Sequence, residues 1–161
     1  MAVYVRARLT QVHIDQARFA RFAGRVLAAA GETGSELSIE LVGDRRMRRL
    51  NHVYRKKNRT TDVLAFPMRE SKSPCTALLG DIVISIPTAR RQAREAGRSL
   101  DNELAVLLVH GVLHLCGYDH ERNEREAARM RRKERAVLRS VLPLPKLVNR
   151  VRHTSRGTHH E

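Results

Sequence analysis

His110-Gly111-Val112-Leu113-His114-Leu115-Cys116-Gly117-Tyr118-Asp119-His120 is the stretch from which the rest of this 161-residue chain is best read. Upstream of it, Leu104, Leu107 and Leu108 recur at helical spacing behind a capping Ser99 or Asp101, which predicts a helix running to about Leu115. His110 and His114 lie four apart on that helix. Four residues turn about 400° and rise about 6 Å, so both imidazoles leave one face, one turn apart. Gly117 takes a positive φ without steric cost and ends the helix. The chain can then turn sharply and deliver His120 to the same point. Three neutral imidazoles that converge in this way can hold one ion at ~2.0–2.1 Å, and zinc suits the donor set. Three protein ligands leave a fourth tetrahedral position open, the pattern of a catalytic zinc and not of a structural one. The expectation is one Zn2+ per chain, bound by His110, His114 and His120. The other histidines, His13, His52, His153, His159 and His160, are isolated in sequence or lie toward the chain's end, and read as solvated. Cys116 falls on the opposite helix face and reads as packed.

Strand and helix patterns flank this segment. Residues 80–86 form an apolar run stopped by Pro87, and residues 61–66 form another stopped by Pro67; both predict strands. Glu36–Val42 (ELSIELV) alternates polar and apolar, as a half-buried strand does, and residues 3–7 read as a short strand. Asp15 caps a predicted helix to about Ala30, ended by Gly31 and Gly34. An arginine-rich helix starts at Asp44 and gives way to a basic loop over 55–60. Further helices are predicted over 88–97 and roughly 123–142. This order points to an α+β fold, a single domain with a small mixed four-stranded sheet packed against several helices. The domain is expected to span 1–145. Beyond Pro143 and Pro145, residues 146–161 read as a basic tail, expected to be disordered.

The charge balance narrows the partners. Lys and Arg number 31 against 17 Asp and Glu, a formal net charge of +14. GC-rich coding explains why most of these cations are Arg, but not the excess itself, which favours a polyanion. No apolar run approaches the ~20 residues of a membrane span. The N-terminus lacks the apolar core of a signal peptide. Cys75 and Cys116 are too few for a disulfide scaffold and read as reduced thiols. A cytoplasmic protein with a nucleic-acid partner and no membrane partner is the expectation.

The histidine spacing also occurs in metzincin peptidases, H-E-x-x-H-x-x-G-x-x-H. Here Gly111 stands where those enzymes carry the glutamate that is their general base. The ligands match, and the peptidase chemistry lacks its proton acceptor. Two further segments point elsewhere. Residues 110–120 are similar throughout to the H-G-x-L-H-L-x-G-Y-D-H of the YbeY family of bacterial endoribonucleases. Leu50-Asn51 through Tyr54-Arg55 to Thr61-Asp62-Val63-Leu64-Ala65-Phe66-Pro67, and then Gly80-Asp81-Ile82-Val83-Ile84-Ser85, follow the same family's pattern in order. Ala65 departs from it, since the family commonly has Ser there, so no hydroxyl acts at that position.

The resemblance implies an α+β domain with zinc on His110, His114 and His120. It implies cleavage of single-stranded RNA, maturation of ribosomal RNA at the 3′ end of the small-subunit RNA, and ribosome quality control. The implied partners are ribosomal RNA and the ribosome or small-subunit assembly components. The family's functional arginine falls on Arg55, and His114 is treated there as essential; these two are the catalytic candidates. The residue chemistry agrees, because a planar guanidinium can clamp a phosphate through two parallel hydrogen bonds. Arg45, Arg46, Arg48 and Arg49 read as solvated charge or nonspecific RNA contacts. Asp119 has two readings, a carboxylate that orients a ligand histidine or a turn stabiliser. Glu121, Glu124, Glu126 and Glu134, interleaved with arginines, read as a solvated helix face. The implied reaction is metal-assisted phosphodiester hydrolysis, with water and the RNA 2′-OH both open as nucleophile. Two other readings stand beside it: a zinc-containing RNA-binding ribosome-assembly factor with little catalysis, and the metallopeptidase that Gly111 argues against.

Overall fold

The computed structural model describes residues 2–9, 12–68 and 78–149. Its elements run β1 (Ala2–Ala7), β2 (His13–Ile14), α1 (Gln16–Ala29), β3 (Glu36–Val42), α2 (Asp44–Arg55), β4 (Val63–Pro67), β5 (Leu78–Ser85), α3 (Ile86–Glu95), α4 (Leu100–Leu115), α5 (Glu124–Ser140) and β6 (Val148–Asn149). The main sheet has the order β1-β3-β5-β4. β1, β3 and β5 are parallel, and β4 closes one edge antiparallel to β5. This is the α+β domain with a mixed four-stranded sheet that the element order implies.

Side-chain alternation explains how the sheet is covered. Leu37, Ile39 and Leu41 of β3 and Ile82 and Ile84 of β5 enter one core together with Phe19 and Phe22 of α1, Leu104, Leu108 and Val112 of α4, and Met130 and Val137 of α5. Val42, Val83 and Leu64 take the opposite face and join Met47 of α2 in a smaller cluster. Helices α1, α4 and α5 therefore pack on one face and α2 on the other, so β5 is apolar on both sides, as buried parallel strands are. Four helix starts carry the side-chain caps that satisfy their first N–H groups, Ser85 of α3 among them, which accepts from Thr88 N (3.3 Å). Asp15 accepts from Arg18 N (3.0 Å), Ser99 from Asn102 N (3.1 Å) and Asn123 from Glu126 N (2.8 Å).

Two expectations change. The basic tail does not begin at Lys146. The Asp101 carboxylate is not a cap; it accepts from the backbone N–H groups of Leu147 (2.7 Å) and Val148 (2.9 Å). Leu147 is fully buried, and β6 pairs antiparallel with β2. Residues 146–149 thus belong to the folded body, while residues 150–161, like Cys75, lie outside the described residues. The second change is that Arg55 is the last residue of α2 and not part of the loop.

Helix α2 is fastened at its start by one carboxylate. Asp44 Oδ1 accepts from Thr88 Oγ1 (2.6 Å), Ser85 Oγ (2.7 Å) and Thr60 Oγ1 (3.2 Å), while Oδ2 pairs with an Arg91 guanidinium nitrogen at 2.9 Å. Burial alone would raise its pKa. The hydrogen bonds from Thr88, Arg91 and Ser85, with the Arg91 charge, outweigh that and lower it to about 2. α2, α3 and the approach to β4 are thereby held at one point.

Candidate metal centre

The three histidines converge because α4 ends in a specific way. Cys116 is the last residue of the helical turn, and Gly117 follows at φ +97°. Gly117 N–H donates to His114 O (3.0 Å) and Tyr118 N–H to Leu113 O (3.0 Å), the paired bonds of a glycine-ended helix. That turn brings Asp119 and His120 back over the helix. Ring centroids lie 4.6 Å apart for His110 and His114, 5.0 Å for His114 and His120, and 5.1 Å for His110 and His120.

Tetrahedral ligands at ~2.0–2.1 Å from one ion stand about 3.3 Å from each other. His110 Nε2 and His114 Nε2 are 3.1 Å apart, and one ligand nitrogen from each of the three rings lies within 4.8 Å of the others. The donor set therefore fits a metal ion. Burial first, and then the charges of His110 and His120, hold the His114 imidazole below its ordinary pKa, which keeps its lone pair available near neutral pH. His110 Nδ1 faces Glu134 Oε1 at 2.8 Å. A carboxylate there accepts a hydrogen bond from Nδ1–H, which leaves Nε2 as the lone-pair nitrogen aimed at His114.

Asp119, the carboxylate that the sequence offers either to orient a ligand histidine or to stabilise the turn, does not orient one. Its Oδ1 accepts from Glu121 N–H at 2.9 Å, which makes it the turn stabiliser. Glu134 is the residue that sequence reading missed. A signal was present: Glu134 is four residues after buried Met130 and three before buried Val137, on the inward stripe of α5. Gly111 also gains a reason. A Cβ there would lie 3.1 and 3.2 Å from Ile82 Cδ1 and Cγ2, so α4 rests directly on β5. The position at which the peptidase pattern carries its glutamate is taken up by helix–sheet contact. Cys116 packs against the main core, as expected.

The histidines open onto a groove of about 650 Å³ that is also lined by Asn51, Arg55, Lys57 and Arg59. Arg55 is exposed at the end of α2, and among the described residues no carboxylate pairs with it. Past Arg55 the chain reverses through Lys56, which takes φ +57°. Buried Asn51 then pins the basic loop by donating from Nδ2 to Arg59 O at 2.9 Å. Lys57 and Arg59 are returned to the groove in this way. Arg45, Arg46, Arg48 and Arg49 do not line it. Arg46 instead pairs with Glu40 (2.6 Å), and Arg48 donates to Asn58 Oδ1 (3.0 Å).

Fold and site together define a class: an α+β protein that presents three convergent imidazoles in a groove lined by the cations Arg55, Lys57 and Arg59 and by the carboxylates Asp62, Asp119 and Glu121. Within that class the chain belongs to the family described as Endoribonuclease YbeY, whose sequence profile matches residues 4–142. An Endoribonuclease YbeY of Anaeromyxobacter dehalogenans is 50% identical over 83% of this chain and 70% of its own length. That of Aquifex aeolicus is 43% identical over 83% of this chain and 89% of its own, and that of Geobacter metallireducens 44% identical over 85% and 93%. In three dimensions the chain is similar to a Thermotoga maritima protein solved in solution, with a TM-score of 0.61 at 25% identity over 86% of this chain and 88% of that one. No helix among the described residues is long and apolar enough to cross a membrane.

Proposed function

We propose that this chain is a zinc-dependent endoribonuclease that cuts single-stranded RNA in the cytoplasm, with small-subunit ribosomal RNA near its 3′ end as substrate and a part in ribosome quality control. Ribosomal or small-subunit assembly components are its protein partners on this reading. The observation that carries it is that His110, His114 and His120 share one groove with Arg55, Lys57 and Arg59.

His110, His114 and His120 are the metal ligands on this reading. A bound zinc ion supplies Lewis acidity, polarising a phosphoryl oxygen and lowering the pKa of a bound water toward ~7. Arg55 clamps the scissile phosphate and stabilises the charge that develops on it. His114, held neutral by burial and by its two histidine neighbours, would offer its lone pair to such an ion. Glu134 keeps His110 in the tautomer that binding requires. Lys57 and Arg59 supply positive potential along the groove, which draws in the RNA backbone.

The test is incubation of the purified protein with ribosomal RNA precursors and with casein, each with and without chelator and added zinc. RNA cut only when zinc is available, with casein intact, supports the proposal. Zinc-loaded protein that binds the precursor and leaves it whole overturns the catalytic reading in favour of an RNA-binding assembly factor. Cleavage of casein overturns it in favour of a peptidase.

A further inference from the structure

Next to the groove-lining Arg55 stands an aromatic pair, Tyr54 and Phe66, that does not itself line the groove and that the metal centre does not use. Tyr54 directly precedes Arg55 at the end of α2, and the residue is 63% exposed. It meets the ring of Phe66 edge-on, with centroids 5.1 Å apart and planes at 61°. Phe66 is itself anchored on the small core beneath α2, and its chain neighbours Ala65 and Pro67 both line the groove. Val53 and Met68 are exposed beside the same two residues in sequence.

Isolated exposed apolar residues are ordinary on a protein surface. This one differs in its setting. A large ring is held out to solvent by a second ring, one residue from Arg55, which lines a groove where the cations Arg55, Lys57 and Arg59 stand with the carboxylates of Asp62, Asp119 and Glu121. Few aromatics are available to the chain, which has three Phe, three Tyr and no Trp. Consecutive helical residues project about 100° apart, so Tyr54 and Arg55 offer a flat face and a guanidinium in different directions from one point. A nucleotide has the matching pair, a flat base and an anionic phosphate. Single-stranded RNA is recognised by proteins through bases stacked on aromatic rings, alongside a basic track for the backbone.

We propose that Tyr54, braced by Phe66, is the platform on which one base of the single-stranded RNA stacks while Arg55 holds an adjacent phosphate. The proposal rests on the endoribonuclease reading and adds a base-contacting residue to it. Double-stranded RNA, whose bases are already stacked, cannot use the platform.

Because the chain has no tryptophan, Tyr54→Trp places a single fluorescent reporter at the site. The probe is a single-stranded oligoadenylate of about ten nucleotides, within the usual site sizes for such proteins. It is mixed with the protein under chelation, so that nothing is cut. Its binding is followed in parallel by the anisotropy of a labelled copy. Oligoadenylate should quench the indole emission of Tyr54→Trp, and inorganic polyphosphate, which has charge and no bases, should not. Tyr4→Trp on the distant β1 edge should stay unquenched. Loss of one base stack weakens binding roughly 5- to 150-fold. Tyr54→Ala should show that loss, Tyr54→Phe should bind like the parent, and zinc content measured before chelation should be equal in all of them. Labelled RNA that binds Tyr54→Ala as tightly as the parent, or that binds Tyr54→Trp without quenching its indole, overturns the platform and leaves the endoribonuclease reading standing. Failure of the parent to bind RNA at all overturns both.

Discussion

Replacing Asp44 by Asn removes one charge while keeping an oxygen to accept the Ser85, Thr88 and Thr60 hydroxyls. What disappears is the preference of the site for a carboxylate. The pKa of Asp44 falls from 3.8 to about 2 on folding, and at 1.36 kcal/mol per unit that sets an upper bound of between about 2 and 3 kcal/mol. The side chain is 34% exposed, and solvent screening of the Arg91 pair brings the figure closer to about 1 kcal/mol. The sign follows from linkage: a lowered folded-state value stabilises fully above pH 3.8, and the stabilisation is lost as pH falls through 2. Urea unfolding of parent and Asp44→Asn should therefore show a gap of about 1 kcal/mol that holds from about pH 6 down to about pH 4 and narrows below that toward about pH 2.5. A gap that stays constant down to about pH 2.5 would refute the electrostatic account of this clamp. Because α2 carries Asn51 and Arg55, the variant should also lose some RNA cleavage near neutral pH with its zinc content unchanged.

Glu134→Gln should lower zinc affinity about 10- to 100-fold, as loss of a carboxylate behind a ligand histidine does; competition with a chelating dye measures it, and unchanged affinity would remove Glu134 from the site. Arg55→Lys should retain zinc and fold but cleave single-stranded RNA about 100-fold more slowly in single-turnover assays, because a point charge makes no bidentate contact. Neutralising Lys57 and Arg59 should reduce the slope of log affinity against log salt by about 0.7 for each phosphate left without its cation, whereas neutralising Arg46, already paired with Glu40, should change it less. Gly111→Ala should gain helix propensity yet lose about 1 kcal/mol overall in thermal unfolding, since its methyl presses on buried Ile82.

The parts of this protein legible in sequence are those set by local rules. Glu36–Val42 is a strand over the very residues whose alternation marks it, and Asp15, Ser99 and Asn123 cap helices because short polar side chains reach the first N–H groups. Helix spacing and the glycine at 117 likewise foretell that three imidazoles meet. What escaped is long-range. Asp101 looks like a cap from its neighbours, yet its partners are 46 and 47 residues away. The two-residue strands β2 and β6 are too short to show a period, so Leu147 reads as part of a tail. Glu134 sits among arginines that suggest a solvated face, and only its place between Met130 and Val137 betrays an inward direction. Which arginines serve the groove is equally hidden, since it depends on the reversal at Lys56 and the Asn51 pin.

The turn at Gly117 has a thermodynamic side as well. All three imidazoles come from one helix end and the bend that follows it, so an ion held there closes only the short stretch between residues 110 and 120. Closing a short, already folded loop removes little chain entropy. Small zinc modules, by contrast, draw most of their folding free energy from joining segments that are otherwise separate. Here the main core of α1, α4, α5 and the sheet forms from apolar side chains none of which is a ligand. The core therefore does not include the centre, and chelation should leave the domain folded, lowering its stability only by the free energy of the ion's binding.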